Sequence, residues 1–238
     1  MKHIVKGSEP AQLRQWINGQ PVENGRRINC SYRDMPGTVK AVVKQRLILE
    51  QGGLCCYTGI SVTETQSHIE HFLPQTLCTD TDYKDVEYTN LLAAYPGEDR
   101  PTCPFGARAR GSWYDPVLLV SPLRGDCERR FVFRLNGRIE AANSGDDGAV
   151  QTIKKLHLDH ESLAELRKQQ IDAVLFPASR QLSNNQLKRI AEVYCQKDRQ
   201  QRYRPFCFVV QQAANELLRK AERERIRRTA IHQQEHIS

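Results

Sequence analysis

The sequence predicts an α+β protein that is mostly helical and carries short β-hairpins. Apolar residues recur at helical spacing near the N-terminus and again through the C-terminal part of the chain. Between these parts lie short apolar runs that are separated by Gly, Pro and Asn, which is typical of hairpins. We therefore predict an N-terminal helical segment over 1–53, a central region over 54–142 and a C-terminal helical region over 143–238.

The composition is that of a water-soluble globular protein. Of 238 residues, 39% are hydrophobic and 26% are charged. No apolar run of about 18 residues occurs, so we expect no transmembrane helix, and the start of the chain lacks a signal-peptide core, which makes the cytoplasm the expected location. The net charge of +7 is compatible with a polyanionic partner. The eight cysteines have no regular spacing, which favours free buried thiols in a reducing compartment.

Two helices are predicted in the N-terminal segment. The first begins at the capping residue Ser8 and ends near Gly19. The second follows Pro36, carries apolar residues at helical spacing and ends at the Gly52-Gly53 pair, which is a strong stop signal.

Two hairpins are predicted in the central region. Residues 54–57 and the stretch from His68 are interpreted as the two strands of one hairpin over 54–75. The second hairpin has Asn136-Gly137 at its turn, which is the strongest short-range hairpin signal in the chain.

The C-terminal region is predicted to form helices capped by Asp159 and Ser183, followed by a last helix from about Cys207 to Ile226. Its basic end, 219–228, is interpreted as a solvated face with internal ion pairs. The alternative is a contact with phosphate or with a partner protein.

The stretch His68-Ile69-Glu70-His71-Phe72-Leu73-Pro74-Gln75 carries the residues of greatest chemical interest. As a short strand it would place His68 and Glu70 on one face and Ile69 on the other, with His71 at the strand end. A carboxylate beside a histidine at such an end can hold a divalent cation and deprotonate a water. The alternative is that His68 and Glu70 line a solvated strand face.

Several neighbouring segments occur in a recognisable order with this stretch. They are Cys55-Cys56-Tyr57-Thr58-Gly59, Pro74, Asn90-Leu91-Leu92, Cys103 and Arg108-Ala109-Arg110-Gly111. Together they resemble the HNH endonucleases, a ββα-metal nuclease family, over residues 54–116. With Gly111-Ser112-Trp113-Tyr114-Asp115-Pro116 and the segment 152–159, the chain looks like the PtuB-type HNH subunit of Septu and retron-associated anti-phage systems, to about residue 175.

The resemblance implies roles for individual residues. His71 matches the general base that activates the attacking water, and Glu70 matches the acidic ligand of a Mg²⁺ or Mn²⁺ ion. Asn90 matches the asparagine that orients the histidine by fixing its loop, although a cap or turn role is the alternative. His68 would support Glu70 or contact substrate.

The resemblance is incomplete at the third metal ligand and at the zinc-binding cysteines. Asp115 is the nearest available oxygen donor and is our candidate for the missing ligand. Thr58 and Gly106 stand where the family often has cysteines, so we expect no structural zinc. Arg108 and Arg110 would lie near the scissile phosphate, or would be solvated surface residues.

As a whole, the resemblance implies the toxic effector of an anti-phage defence system. Its partners would be an ABC/SMC-like ATPase of the PtuA type and, in some systems, a retron reverse transcriptase with its RNA–DNA product. The sequence has no phosphate-binding loop of its own, so ATP control would come from the partner. Two alternatives remain open: a ribonuclease acting on structured RNA such as tRNA, and a non-catalytic nucleic-acid-binding scaffold. The C-terminal helices are expected to dock the partner.

Overall fold

The computed structural model of this chain describes residues 1–79, 82–100, 102–178 and 181–235, with side chains described up to residue 230. In these residues it contains seven α-helices and six short strands. The helices are α1 Ala11–Asn18, α2 Gly37–Glu50, α3 Ala107–Arg110, α4 Asp147–Lys155, α5 Glu161–Leu175, α6 Asn184–Val193 and α7 Cys207–Glu235. The strands are β1 Val22–Glu23, β2 Arg26–Arg27, β3 His68–His71, β4 Leu91–Ala94, β5 Phe131–Phe133 and β6 Ile139–Ala141. The protein is therefore helical with small sheets, as predicted.

The two N-terminal helices are present, and their stop signals act as expected. Helix α1 begins after Pro10 rather than at Ser8, because the residue before a proline is disfavoured in the helical conformation and Glu9 is therefore kept outside the helix. Helix α2 is followed by Gly52 and Gly53, both with positive φ (61° and 72°). Glycine adopts this conformation without strain, so the pair ends the helix.

The sheet that carries the motif has a different partner strand from the one we predicted. Strand β3 pairs antiparallel with β4, with His68 opposite Ala94 and His71 opposite Leu91. The predicted hairpin over 54–75 is wrong, since Leu54 forms only a single bridge, to Ser61. Residues 54–61 close a tight turn on themselves, which leaves the edge of β3 to the buried apolar strand β4.

Helix α2 and β4 are joined by the buried side chain of Gln51. Its amide nitrogen donates to the carbonyls of Leu54 (2.7 Å) and Ala93 (2.9 Å), and its oxygen accepts the N–H of Ala93 (2.7 Å). Both backbone groups of Ala93 are thereby satisfied without a third full strand. Cys56 also donates its N–H to Ala93 at 3.1 Å, so the turn over 54–61 lies along the outer edge of β4.

The second hairpin and the C-terminal helices follow the sequence signals closely. Strands β5 and β6 pair antiparallel around a turn in which Gly137 has φ 79°. Ser183 forms a full capping box with Gln186 at the start of α6. Helix α5 is capped by His160 rather than Asp159, and α7 runs nine residues beyond the predicted end, to Glu235.

Buried apolar residues form one connected cluster with members in each of the three predicted regions, including Val43, Leu92 and Val209. Helix α7 packs on α6, on α5 and against β5, while α2 packs against β4. The motif-bearing sheet thus lies inside the protein, supported by helices from the N-terminal side. None of the helices in the described part of the chain is long and apolar enough to cross a membrane.

Candidate active site

Strand β3 is buried on both faces. The exposed fractions of His68, Glu70 and His71 are 8%, 9% and 6%. The interpretation of His68 and Glu70 as a solvated strand face is therefore wrong. Burying an ionisable group is costly unless it is paired or hydrogen-bonded, so the partners of these three side chains decide what the site can do.

Arg110 at the end of α3 is the main partner of the strand. It donates hydrogen bonds to the carbonyl oxygens of His71 (2.6 Å) and Phe72 (2.8 Å). Its Nη2 also lies 2.6 Å from Oε1 of Glu70. Since Arg110 is 5% exposed, its guanidinium is directed into the protein rather than toward solvent. This geometry favours a role in holding the end of β3 over direct contact with a phosphate.

His68 faces Glu70 across a short gap. The Nδ1 atom of His68 lies 2.6 Å from the carbonyl oxygen of Pro96, which can only accept, so Nδ1 carries a proton. In a neutral ring, the lone pair then resides on Nε2, which lies 3.5 Å from Oε2 of Glu70. Two acceptors face each other in this arrangement. A second proton on His68 or a bound cation would satisfy both.

His71 lies on the opposite face of β3 and its ring is oriented by two loop residues. Nε2 is 2.8 Å from the carbonyl oxygen of Asp85 and must donate to it. The ring of Tyr32 meets the imidazole edge-on, with centroids 4.6 Å apart. Burial lowers the pKa of His71 below its usual 6.5, despite the opposing effects of the Asp85 carbonyl and Glu70. The ring is therefore neutral at pH 7, with a basic lone pair on Nδ1.

Asn90 fixes the loop that follows His71. Its Oδ1 accepts the N–H of Leu73 (2.7 Å), and its Nδ2 donates to the carbonyls of Leu73 (3.1 Å) and Lys84 (2.8 Å). Lys84 immediately precedes Asp85, whose carbonyl holds His71. One amide side chain thus joins both segments that position the imidazole, and its three hydrogen bonds exceed what a simple turn residue requires.

Asp115 and Arg108 are less closely connected to these residues. The Oδ1 atom of Asp115 accepts the N–H groups of Val117 (2.8 Å) and Leu118 (2.9 Å), which caps a local turn. Within the described residues, no group of three or more His, Cys, Asp or Glu side chains is arranged to hold a metal, so Asp115 does not complete such a group with His68 and Glu70. Arg108 is half-buried, and its Nε has no hydrogen-bond partner in the described part of the chain.

Thr58 and Gly106, which stand where HNH endonucleases often have cysteines, are close together. A Cβ built on Gly106 would lie 3.2 Å from Cγ2 of Thr58. Cys55 accepts the N–H of Tyr95 at 3.3 Å. Burial alone would raise the pKa of the Cys55 thiol, but contacts with Cys56, Thr58 and the Tyr95 N–H lower it to about 6. Thr58 and Gly106 thus lie close to each other in the fold.

A cleft of about 480 Å³, which was not predicted from the sequence, has in its wall Asp85, the residue whose carbonyl accepts the hydrogen bond of His71. Its walls include Asp85 and Ser31, together with Arg26, Arg27 and Arg33. Arg27 is used internally, since it donates to Ile17 and Asn18, whereas Arg26 and Arg33 are exposed. The sequence signal for this basic wall was the occurrence of three arginines within residues 26–33.

Comparison with known proteins agrees with the motif. No family model matches the sequence. A protein of Vibrio cholerae serotype O1 biovar El Tor, named "Retron Vc95 putative HNH endonuclease", is 27% identical to it over 150 residues, which are 61% of this chain and 71% of that protein. The similarity supports a relationship to HNH endonucleases and a retron context. The chain is thus similar over most of its length to a retron protein named as an HNH endonuclease.

Proposed function

We propose that this protein is an HNH-type endonuclease that hydrolyses phosphodiester bonds in nucleic acid, with His71 as the general base. The observation that carries the proposal is the state of the His71 ring: the Asp85 carbonyl holds the proton on Nε2, and burial keeps the ring neutral. A neutral imidazole with a directed lone pair is what deprotonation of a water requires at pH 7.

In the proposed reaction, Nδ1 of His71 accepts a proton from a water while the water oxygen forms a bond to phosphorus. The bond from phosphorus to the leaving sugar oxygen breaks, and that oxygen takes a proton from solvent. The resulting imidazolium returns its proton to water. Because Glu70 and His71 project from opposite faces of β3, one phosphate can reach both only at the strand end, where His71 is the last residue.

Glu70 and His68 are the residues that would hold a divalent cation. Their facing acceptor atoms, 3.5 Å apart, are somewhat wider than the roughly 3 Å between neighbouring ligands of an octahedral ion with bonds of about 2.1 Å. Mg²⁺ and Mn²⁺ commonly retain waters and take further oxygen ligands from substrate phosphates, which suits a site with two protein donors. Such a cation would relieve negative charge at the phosphate and at the leaving oxygen.

Glu70→Gln and His68→Ala are each expected to weaken Mn²⁺ binding by about tenfold or more, because each removes one of two protein donors. Isothermal titration with MnCl₂ and the electron paramagnetic resonance spectrum of free Mn²⁺ measure this without any cleavage assay. Asp115→Asn in the same titration tests the predicted third ligand. Unchanged Mn²⁺ affinity in both the Glu70 and His68 variants would remove the cation from these residues.

Cleavage is expected to have an acidic limb below pH 6.5. The base must be neutral, and burial lowers the pKa of His71, so activity is lost as the pH falls through that lowered value. The same shift means that the unfolded chain binds this proton more readily, so stability also decreases on acidification. Single-turnover rates between about pH 5 and 8, taken only where circular dichroism shows folded protein, check the limb. A limb centred above pH 6.5 would contradict His71 as the base.

We propose that the protein is the effector of an anti-phage system and that a PtuA-type ATPase controls it. Two similarities support this proposal: the likeness of the sequence to PtuB-type subunits and its similarity to the retron protein of V. cholerae. A retron reverse transcriptase with its RNA–DNA product is a further proposed partner. Co-purification of a tagged chain with each candidate partner, followed by cleavage of plasmid DNA and of tRNA by each complex, tests the assembly and the substrate together. Exclusive cleavage of tRNA would favour the ribonuclease alternative.

One observation favours the non-catalytic scaffold as a second candidate. The described residues hold two facing donors at the sheet but no group of three that could bind a metal. A scaffold would bind nucleic acid with no cleavage of DNA or RNA in Mg²⁺ or Mn²⁺, with or without partner. Cleavage that disappears in the His71→Ala variant excludes it.

A further inference from the structure

A groove of about 600 Å³ lies between strand β5 and the long helix α7, and none of its lining residues belongs to strand β3. One wall is formed by α7 and carries Arg219 and Arg223, while Arg129 lies on the other wall, just before β5. All three side chains are exposed. None of them has a side-chain hydrogen bond or ion pair within the described part of the chain.

The groove has a fixed floor. The side-chain oxygen of Gln212 on α7 accepts the N–H of Phe133 at 3.1 Å, and its nitrogen donates to the carbonyl of Phe131 at 3.2 Å. Gln212 thereby takes the place of a neighbouring strand along β5 and ties the strand to the helix. The spacing of the two walls is therefore set by buried and half-buried contacts, not by the arginines.

Charges on α7 are paired on part of its surface and unpaired on another. Glu216 and Lys220 form an ion pair at 2.7 Å, and Glu222 and Arg225 form one at 2.8 Å. Arg219, Arg223 and Arg227 have no such partner among the described residues. They follow one another at intervals of four residues, so they lie on one helical face about 6 Å apart along the axis.

The row of unpaired arginines on α7, Arg219, Arg223 and Arg227, is difficult to explain as a solvated helix face. Like charges four residues apart destabilise a helix, and this stripe contains two such pairs in succession. A solvated face would alternate signs, as the Glu216–Lys220 and Glu222–Arg225 pairs do. An anionic ligand would offset the repulsion, and Arg129 faces the same space from the opposite wall.

We propose that Arg129, Arg219, Arg223 and Arg227, here named the arginine track, bind the phosphate backbone of a nucleic acid. Guanidinium groups pair with phosphate through two parallel hydrogen bonds, and a row of identical charges at regular intervals matches a polymer of identical charges. The centre of a protein interface is instead depleted of charge and rich in aromatic groups. The arginine track is separate from the catalytic proposal, since binding requires neither His71 nor a cation.

The test uses the full-length His71→Ala protein in EDTA, so that no substrate is cut. Fluorescence anisotropy is measured with labelled single-stranded DNA, double-stranded DNA and RNA over a salt series. Substituting Arg219, Arg223 and Arg227 together by Gln is expected to weaken binding at least tenfold. The slope of log affinity against log salt should decrease by about 0.7 to 0.9 for each phosphate that the variant no longer neutralises.

Arg225→Gln is the matched control, because Arg225 lies on the same helix but is paired with Glu222. It should leave affinity and salt slope unchanged. Thermal melting of the triple variant should show no loss of stability, since like-charge repulsion is removed. If the triple variant and its parent bind nucleic acid with equal affinity and equal salt slope, the proposed arginine track is overturned. The same holds if polyglutamate competes for binding as well as DNA does at equal charge. Absence of cleavage by the native protein would leave this binding result intact.

Discussion

Replacing His71 by alanine is expected to slow phosphodiester cleavage by about 10²- to 10⁴-fold, the usual contribution of a general base. The ring is positioned by the Asp85 carbonyl and by the edge of Tyr32, and in the proposed reaction its Nδ1 accepts the proton from water. The measurement is single-turnover cleavage of supercoiled plasmid and of structured RNA in Mn²⁺. Growth arrest on expression with the proposed partner proteins would give a second readout.

The matched control is His157→Asn. His157 is an exposed histidine with φ 46°, and asparagine tolerates this left-handed conformation better than alanine does. Its cleavage rate should equal that of the native protein. Melting curves and near-native circular dichroism of His71→Ala separate loss of the base from loss of the fold. A folded His71→Ala protein that cleaves normally would refute the mechanism.

The strand that carries the motif was predictable from its own residues, but its partner was not. Alternation in His68–His71 indicates a strand, and β3 has those bounds. Strand β4, in contrast, is a continuous apolar run that is buried throughout, and such a run shows no period that distinguishes strand from helix. It is also separated from β3 by about twenty residues, so no turn signal connects the two. The sequence therefore favours the nearer run at Leu54 as the partner of β3, and this prediction is wrong.

The residues that orient His71 show the same limit. The order of the motifs predicts that Asn90 fixes the loop of His71. Its hydrogen bonds to Leu73 and Lys84 show how it does so. Tyr32 and Asp85 come from two loops, and Asp85 acts through its backbone carbonyl. Because any residue could supply this backbone carbonyl, the sequence does not indicate which residue does so. Only the folded chain could identify it.

Arg108 and Arg110 illustrate why side-chain direction escapes sequence analysis. Both were predicted to lie near a phosphate, and they are two residues apart on the short helix α3. Glycines with positive φ flank this helix, Gly106 at 74° and Gly111 at 56°. These two turns set the rotation of the helix, which places Arg110 inside against β3 and leaves Arg108 half-buried. A charge in a motif can therefore support the backbone instead of binding the substrate.

Arg110→Met is expected to lower the free energy of unfolding by about 3–5 kcal/mol, the usual cost of removing one partner of a buried ion pair. The substitution keeps much of the apolar volume but leaves Glu70 without its guanidinium neighbour, and it leaves the carbonyls of His71 and Phe72 without their donor. Urea unfolding followed by circular dichroism measures the change. Arg124→Met is the control, because Arg124 is exposed and paired with Asp126 on the surface, where such a pair contributes about 1 kcal/mol or less.

A double-mutant cycle distinguishes an unpaired Glu70 from lost packing. If the unpaired carboxylate causes the loss, Glu70→Gln should recover part of it in the Arg110→Met background, because a neutral amide is less costly to bury than an unpaired charge. If packing causes it, the two substitutions should add. Equal unfolding free energies for Arg110→Met and Arg124→Met would show that Arg110 does not hold β3. The contacts of Arg110 with β3 would then contribute no more to stability than a surface ion pair does.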